Sequence, residues 1–219
     1  MATKKSEISK DKIVSMYMDY VLEHNEKPKS VCQFSKLNKI TEKEFYNFFG
    51  TIESLEKEIF NVFFEKTIAL LQKDKDFKTY DMRSKLLSFN FTFFELLTAN
   101  RSYVLMTLKE SGNHLKSLKQ LTGLRSSYKE FVSEIITDDI RTKEERFQNF
   151  QEKAILESSW FQLLLTMKFW IDDTSPALEK TDIYIEKSIN TAFELMNVAP
   201  LDSLIDFGKF IFKEKIYSK

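Results

Sequence analysis

The segment "KITEKEFYNFFGTIESLEKEIF", residues 39–60, decides the fold. Four aromatic side chains stand almost side by side among its lysines and glutamates: Phe45, Tyr46, Phe48 and Phe49. Thr41 and Glu44 have the spacing of a capping box, in which each side chain bonds the backbone amide of the other residue. Gly50 breaks a helix and Thr51 can cap a new one. The segment therefore predicts a short helix followed at once by a long helix that reaches residue 72.

Two further helices are predicted upstream. Apolar residues at helical spacing mark one helix over residues 9–24, and Ser30 can cap a second, shorter helix over Val31–Leu37. The two short helices with a brief turn between them predict a helix-turn-helix unit. A unit this small needs large aromatic side chains, which bury about 150–250 Å² each. We expect Phe45 and Phe48 to face its core.

Composition favours helices along the whole chain. The 219 residues include only 4 glycines and 3 prolines, and a β-rich chain of this length would need many turn glycines. Lysine plus arginine equals aspartate plus glutamate at 33 each, so any binding of nucleic acid must be local. The single cysteine, Cys32, suits a reducing cytoplasm, where we expect the protein. No phosphate loop, nucleophile elbow or zinc spacing is present, so we expect neither an enzyme nor a cofactor.

These residues resemble the TetR family of bacterial transcriptional regulators. Ile40 and Thr41 of "NKITEKEFYNFF" match the Val-Ser of the family pattern, and the aromatic block that follows matches as well. "GTIESL" resembles the family's start of helix four. The resemblance covers roughly residues 13–60, and chain length and helical texture extend it to the whole protein.

The resemblance implies an all-α fold with two parts. Residues 1–50 would form a three-helix DNA-binding domain, and residues 51–219 a larger helical bundle for ligand binding and dimerisation. The partner of the first part would be a double-stranded DNA operator. By their matching positions, six residues would make the DNA contacts: Ser30, Lys39, Thr41, Lys43, Tyr46 and Asn47.

The larger part would hold a hydrophobic small molecule or a lipid and would pair with a second copy of the chain. Candidate pocket residues are Phe89, Phe93, Phe94, Met106, Trp160, Phe161, Met167 and Trp170. The last two long helices of the family usually form the dimer interface. An apolar stripe on the last helix supplies candidates for it: Leu178, Ile185, Ile189, Ala192 and Met196.

Some residues depart from the family pattern and keep other functions open. Lys39 replaces the usual turn glycine, Ile52 replaces a lysine, and residues 1–66 carry eleven lysines and eleven acids. After Pro200, residues 201–216 predict an amphipathic helix that could contact a membrane surface or a partner. The alternatives to a ligand-responsive repressor are a TetR-fold lipid-binding or membrane-associated protein without DNA binding, and a scaffold protein.

Overall fold

The computed structural model describes residues 8–109, 119–137 and 145–198. Over these ranges the chain forms helices and no strand, which confirms the predicted all-α fold. The helices are α1 (Lys10–His24), α2 (Val31–Leu37), α3 (Glu42–Tyr46), α4 (Ile52–Leu71), α5 (Met82–Ala99), α6 (Arg101–Lys109), α7 (Thr122–Thr137), α8 (Glu145–Asp172) and α9 (Glu179–Val198). Short 3-10 turns lie at Phe77–Thr79 and Pro176–Leu178. The predicted amphipathic helix at 201–216 lies outside the described residues.

Side-chain caps set where the first four helices begin. Four hydroxyls each accept a hydrogen bond from the amide three residues further on, at 3.0–3.2 Å: Ser9, Ser30, Thr41 and Thr51. Thr41 and Glu44 form the predicted capping box, and Thr51 forms another with Ser54. Since each cap contributes about 1 kcal/mol, these polar residues help to fix where the helices begin, above all α2 and α3, which are too short to be stable alone.

The helix-turn-helix unit has an aromatic core. The rings of Phe34 in α2 and Phe45 in α3 are both fully buried and meet edge-on, with centroids 5.8 Å apart. Tyr17 of α1 packs on Phe34 at 6.2 Å. Phe49 is buried, but Phe48 is 42% exposed, so the expectation that Phe48 faces the core is wrong. The ring of Phe49 packs against the ring of Phe45 with centroids 5.9 Å apart, so Phe49 and not Phe48 lies on the buried face of Phe45.

The chain folds into two compact units. The first comprises Met1–Lys73 and Thr92–Tyr128, and the second comprises Asp74–Phe91 and Lys129–Lys219. Helices α5 and α7 each contribute residues to both units. The predicted functional division is a different one: residues 1–50 for DNA binding and residues 51–219 for ligand binding and dimerisation. It stays a prediction.

In the first unit, α1 and α7 both contact α4. Lys10 of α1 donates to Glu58 at 2.8 Å, and Ser127 of α7 donates to Asn61 at 2.7 Å. Gly123 lies so close to α4 that a Cβ there would stand 3.3 Å from the carbonyl oxygen of Lys57. The absence of a side chain at this position allows α7 to approach the backbone of α4.

In the second unit, a buried carboxylate organises the turn between α8 and α9. Asp173 accepts hydrogen bonds from the amides and hydroxyls of Ser175 and Thr181, at 2.7–2.9 Å. Burial alone would raise the pKa of Asp173, but these hydrogen bonds outweigh it and hold the pKa at about 2. Ala177 and Leu178 both have positive φ, at 52° and 60°. The last helix therefore begins at Glu179.

Candidate functional site

The predicted DNA-contacting side chains face solvent at the start of α2, in the turn that follows it and along α3. All six predicted residues are exposed: Ser30, Lys39, Thr41, Lys43, Tyr46 and Asn47. Tyr46 is 52% exposed and Leu37, at the end of α2, is 56% exposed. These two large side chains add an apolar part to an otherwise polar surface.

The turn between α2 and α3 is a Schellman motif with lysine at its left-handed position. Lys39 has φ of 55°, and its amide bonds the carbonyl of Lys36 at 3.3 Å. The amide of Ile40 bonds the carbonyl of Ser35 at 3.0 Å, and Ile40 is buried. This pair of hydrogen bonds defines the motif, and glycine is the usual residue where Lys39 stands. The chain accepts left-handed strain there and gains an exposed ammonium group.

Local charge around α3 is positive, although residues 1–66 are neutral as a whole. Four lysines and two glutamates lie within residues 28–47, a net charge of +2. Within the part of the chain that the structure describes, the salt bridges do not include Lys36, Lys39 or Lys43. The carboxylate of Glu44 accepts from the amide of Thr41 at 2.7 Å and so turns toward the start of its own helix. Three ammonium groups therefore remain available to phosphates on this surface.

A second candidate surface is an apolar groove along α8 and α9. We name it the helix-pair groove; its volume is about 770 Å³. Its exposed apolar side chains are Phe161 (60% exposed), Leu165 (42%), Phe169 (36%), Ile183 (49%) and Leu195 (59%). Tyr184 stacks on Phe169 with ring centroids 4.5 Å apart. So much apolar area on one helix pair is unusual for a surface that faces water.

Part of the predicted dimer interface on the last helix is wrong, because some of its residues are buried and do not line the helix-pair groove. Ile185 and Ile189 are 0% and 3% exposed, so they pack inside their own protomer and are not available to a partner. Ala192 is exposed and lines the groove, whereas Leu178 is half-buried. The side chain of Met196 lies outside the described residues.

The predicted pocket residues fall in different environments. In the first unit Phe93 and Phe94 are buried, and half-buried Met106 lines a separate small cavity. The second unit buries Phe89, Trp160, Met167 and Trp170. Phe161 is exposed on the helix-pair groove and is therefore no part of an interior pocket.

A buried polar cluster in the first unit has no counterpart in the sequence-based predictions. The carboxylate of Glu56 in α4, 7% exposed, accepts hydrogen bonds from the hydroxyl of Tyr17 and the ammonium of Lys27. Burial and the hydrogen bond to Glu56 raise the pKa of Tyr17. Burial also raises the pKa of Tyr103, whose ring packs edge-on against Tyr17 at 6.5 Å. Widely separated chain segments supply these groups, so no local motif signals them.

Comparison with known proteins identifies the family. The family model of the tetracyclin repressor-like C-terminal domain matches residues 85–211, more than half of the chain. The chain belongs to the TetR family. The predicted resemblance, drawn from the N-terminal segment, is thus confirmed by a match to the other end of the molecule.

Solved structures of TetR-family proteins share the fold. One is named as a TetR-family transcriptional regulator from Syntrophomonas wolfei, with TM-score 0.62 and 15% identity over 84% of this chain and 93% of that one. Another is the fatty acid degradation regulator FadR from Bacillus halodurans, with TM-score 0.53 and 16% identity over 84% and 95%. No curated protein matches the chain.

The described ranges contain neither a candidate metal-binding cluster nor a candidate membrane-spanning helix. No group of three or more histidine, cysteine, aspartate or glutamate side chains is placed there to hold a metal ion. Among the same residues, no helix has the length and apolar character needed to cross a membrane.

Proposed function

We propose that this TetR-family protein is a homodimeric transcriptional repressor that binds operator DNA through α3 and responds to a hydrophobic ligand. The observation that carries the proposal is the exposed, locally basic α2–α3 surface on a capped helix-turn-helix unit. Phosphate contacts supply much of the affinity for DNA, and lysines at the rim of a recognition helix make such contacts. Within this surface, Lys43 and Asn47 would reach base edges, while Thr41 and Tyr46 would hold phosphates.

A binding assay on charge-matched variants tests the DNA contact. Fluorescence anisotropy would follow binding to labelled fragments from the region upstream of the gene. A triple variant Lys36→Gln, Lys39→Gln, Lys43→Gln removes six ammonium groups from a dimer. Up to six fewer released counterions would flatten the slope of log affinity against log salt by about five.

The matched control removes the same charge from exposed lysines outside the helix-turn-helix unit: Lys73, Lys75 and Lys78. We expect this control to bind DNA as the wild type does. No binding by a folded dimer at low salt would exclude a DNA-binding repressor, and equal losses in both triple variants would exclude the assigned surface.

The helix-pair groove supports the homodimer. TetR-family proteins usually pair through their last two long helices, and in this chain those helices expose five large apolar side chains. A second copy with the same face would bury them in a four-helix interface. The double variant Phe161→Glu, Leu195→Glu should run as a monomer by light scattering, whereas the control Leu70→Glu, exposed on α4, should not. A double variant that stays dimeric would place the interface elsewhere.

The buried aromatic residues of the second unit support an apolar ligand. Trp160 and Trp170 are the only tryptophans in the chain, and both lie buried in α8. Titration with a long-chain fatty acid should change tryptophan fluorescence in the wild type. Single-tryptophan variants, Trp160→Phe and Trp170→Phe, would report which side of α8 faces the ligand. An unchanged spectrum, together with no lipid in organic extracts of the purified protein, would contradict a lipid-like ligand.

A further inference from the structure

The first compact unit contains a small cavity lined by the buried side chains of Glu56 and Gln120 and by the exposed ones of Glu26 and Lys27. Its volume is about 200 Å³, and α1, α4 and α6 line it together with Gln120 and the turn after α1. Glu56 and Tyr17, which are hydrogen-bonded to each other, form part of its wall. This cavity is not the pocket proposed above, since it shares only Met106 with the predicted pocket residues.

One side chain in this wall lacks a hydrogen-bond partner. The oxygen Oε1 of Gln120 is buried and has no partner within the described part of the chain, and the residue is only 8% exposed. An unpaired buried acceptor costs about 1–3 kcal/mol, so native structures rarely leave one without a ligand or water to satisfy it. Gln120 lines the cavity, and a molecule bound there could supply the missing donor once the amide turns toward it.

The net charge of the cavity lining indicates whether a bound molecule would be a cation or an anion. Glu26 and Glu56 carry negative charges and Lys27 carries a positive one, so the lining has a net charge of −1. The carboxylate of Glu56 accepts from Tyr17 and Lys27, but an ionised carboxylate offers about four lone-pair sites. Lys27 contacts both carboxylate oxygens and Tyr17 contacts one of them, so about one site remains for a further donor. An anionic ligand would be repelled.

The rest of the wall combines apolar and aromatic side chains with two polar ones, Asn25 and Thr107. Val21 and the ring of Tyr103 are both nearly fully buried, and Met106 offers a thioether chain that adapts to varied shapes. Aromatic faces also attract cations when water is excluded. A compact apolar body that ends in a positively charged donor group fits all of these surfaces.

We propose that this cavity binds a small amine or amidine, whose N–H groups donate to the carboxylate of Glu56 and to Oε1 of Gln120. The ligand's charge competes with the ammonium of Lys27 for Glu56. Lys27 lies in the turn between α1 and α2, three residues before the cap of α2 at Ser30. If the repressor function proposed above holds, occupancy would loosen this tie between α4 and the helix-turn-helix unit and so alter DNA binding.

Calorimetry with matched probes tests the site without DNA, so the result is independent of the repressor proposal. The probes are benzamidine, benzylamine and butylamine, each paired with a neutral analogue: benzamide, benzyl alcohol and butanol. We expect at least one cation to bind with Kd below about 10 mM, and its neutral analogue at least about tenfold more weakly.

Three variants locate the binding. Glu56→Gln keeps the shape of the side chain and should weaken cation binding at least about tenfold, since it removes the charge that the ligand meets. Glu53→Gln removes a charge from the same helix outside the cavity and should bind as the wild type does. Met106→Trp fills the cavity without changing charge and should abolish binding, which provides a second route if Glu56→Gln does not fold. Failure of all three cations to bind, or equal binding by the wild type and a folded Glu56→Gln or Met106→Trp variant, would overturn the proposal.

Discussion

Replacing Lys39 by glycine should stabilise the protein, although it removes a side chain. Lys39 has φ of 55° in the turn of the helix-turn-helix unit, where a side-chain-bearing residue pays about 1–2 kcal/mol. Glycine removes that strain but adds about 0.4–1 kcal/mol of conformational entropy to the unfolded chain. Subtracting this entropy term from the relieved strain predicts that the free energy of unfolding rises by about 0.5–1 kcal/mol, or that Tm rises by roughly 2 °C for a chain of this size.

Urea denaturation followed by circular dichroism, at one fixed protomer concentration, measures the change. The control is Lys36→Gly in α2, which removes an equivalent exposed lysine from a right-handed helical position. Because glycine is about 1 kcal/mol worse than the best helix formers there, the control should lose stability. The two variants change charge equally, so their opposite signs would isolate backbone strain. A Lys39→Gly variant no more stable than the wild type would refute the left-handed turn as a source of strain.

Three further changes probe other parts of the structure. The wild type should have a larger free energy of unfolding than Asp173→Asn above about pH 4, and this difference should disappear as the pH falls to about 2. The reason is that a carboxylate with a lowered folded-state pKa stabilises the protein only while it is ionised. Gly123→Ala should cost about 1–2 kcal/mol in urea melts despite alanine's helix propensity, since its Cβ would press on the carbonyl of Lys57. Phe45→Ala should cost about 3–5 kcal/mol, whereas Phe48→Ala should change stability by about 0.5 kcal/mol or less.

Each of these has a distinct contrary result. A pH-independent gap would mean that Asp173 is not held ionised by its hydrogen bonds. A more stable Gly123→Ala variant would show that α4 and α7 can separate slightly at little cost. Equal losses at Phe45 and Phe48 would mean that both rings are buried, against the observed exposure of Phe48.

Local sequence rules predicted the helix-turn-helix unit well. Ser30, Thr41 and Thr51 cap the predicted helices, and α2 has its predicted bounds. These features depend on contacts within four residues, which a sequence pattern contains in full. Phe48 shows the limit of such local rules. Residues three and four positions after Phe45 can both share its helix face, so the pattern alone does not choose between Phe48 and Phe49.

Features that depend on tertiary contacts were not predictable in the same way. The stripe of Ile185 and Ile189 is real, but periodicity cannot say whether an apolar face meets its own protomer or a second copy. The last helix has apolar side chains on more than one face, and the exposed groove uses the other residues. The cluster of Glu56, Tyr17 and Lys27 joins positions 29 to 39 residues apart, which no local motif records.

If the proposed homodimer forms through the helix-pair groove, the stability of the protein depends on how much of it is present. If a second copy covers five exposed apolar side chains, a protomer without a partner keeps them in water and loses the free energy of their burial. Dilution would then lower the melting temperature as surely as a core mutation would. A cell that makes few copies of this protein would hold a larger share of it as exposed monomer, the form most open to proteases and chaperones.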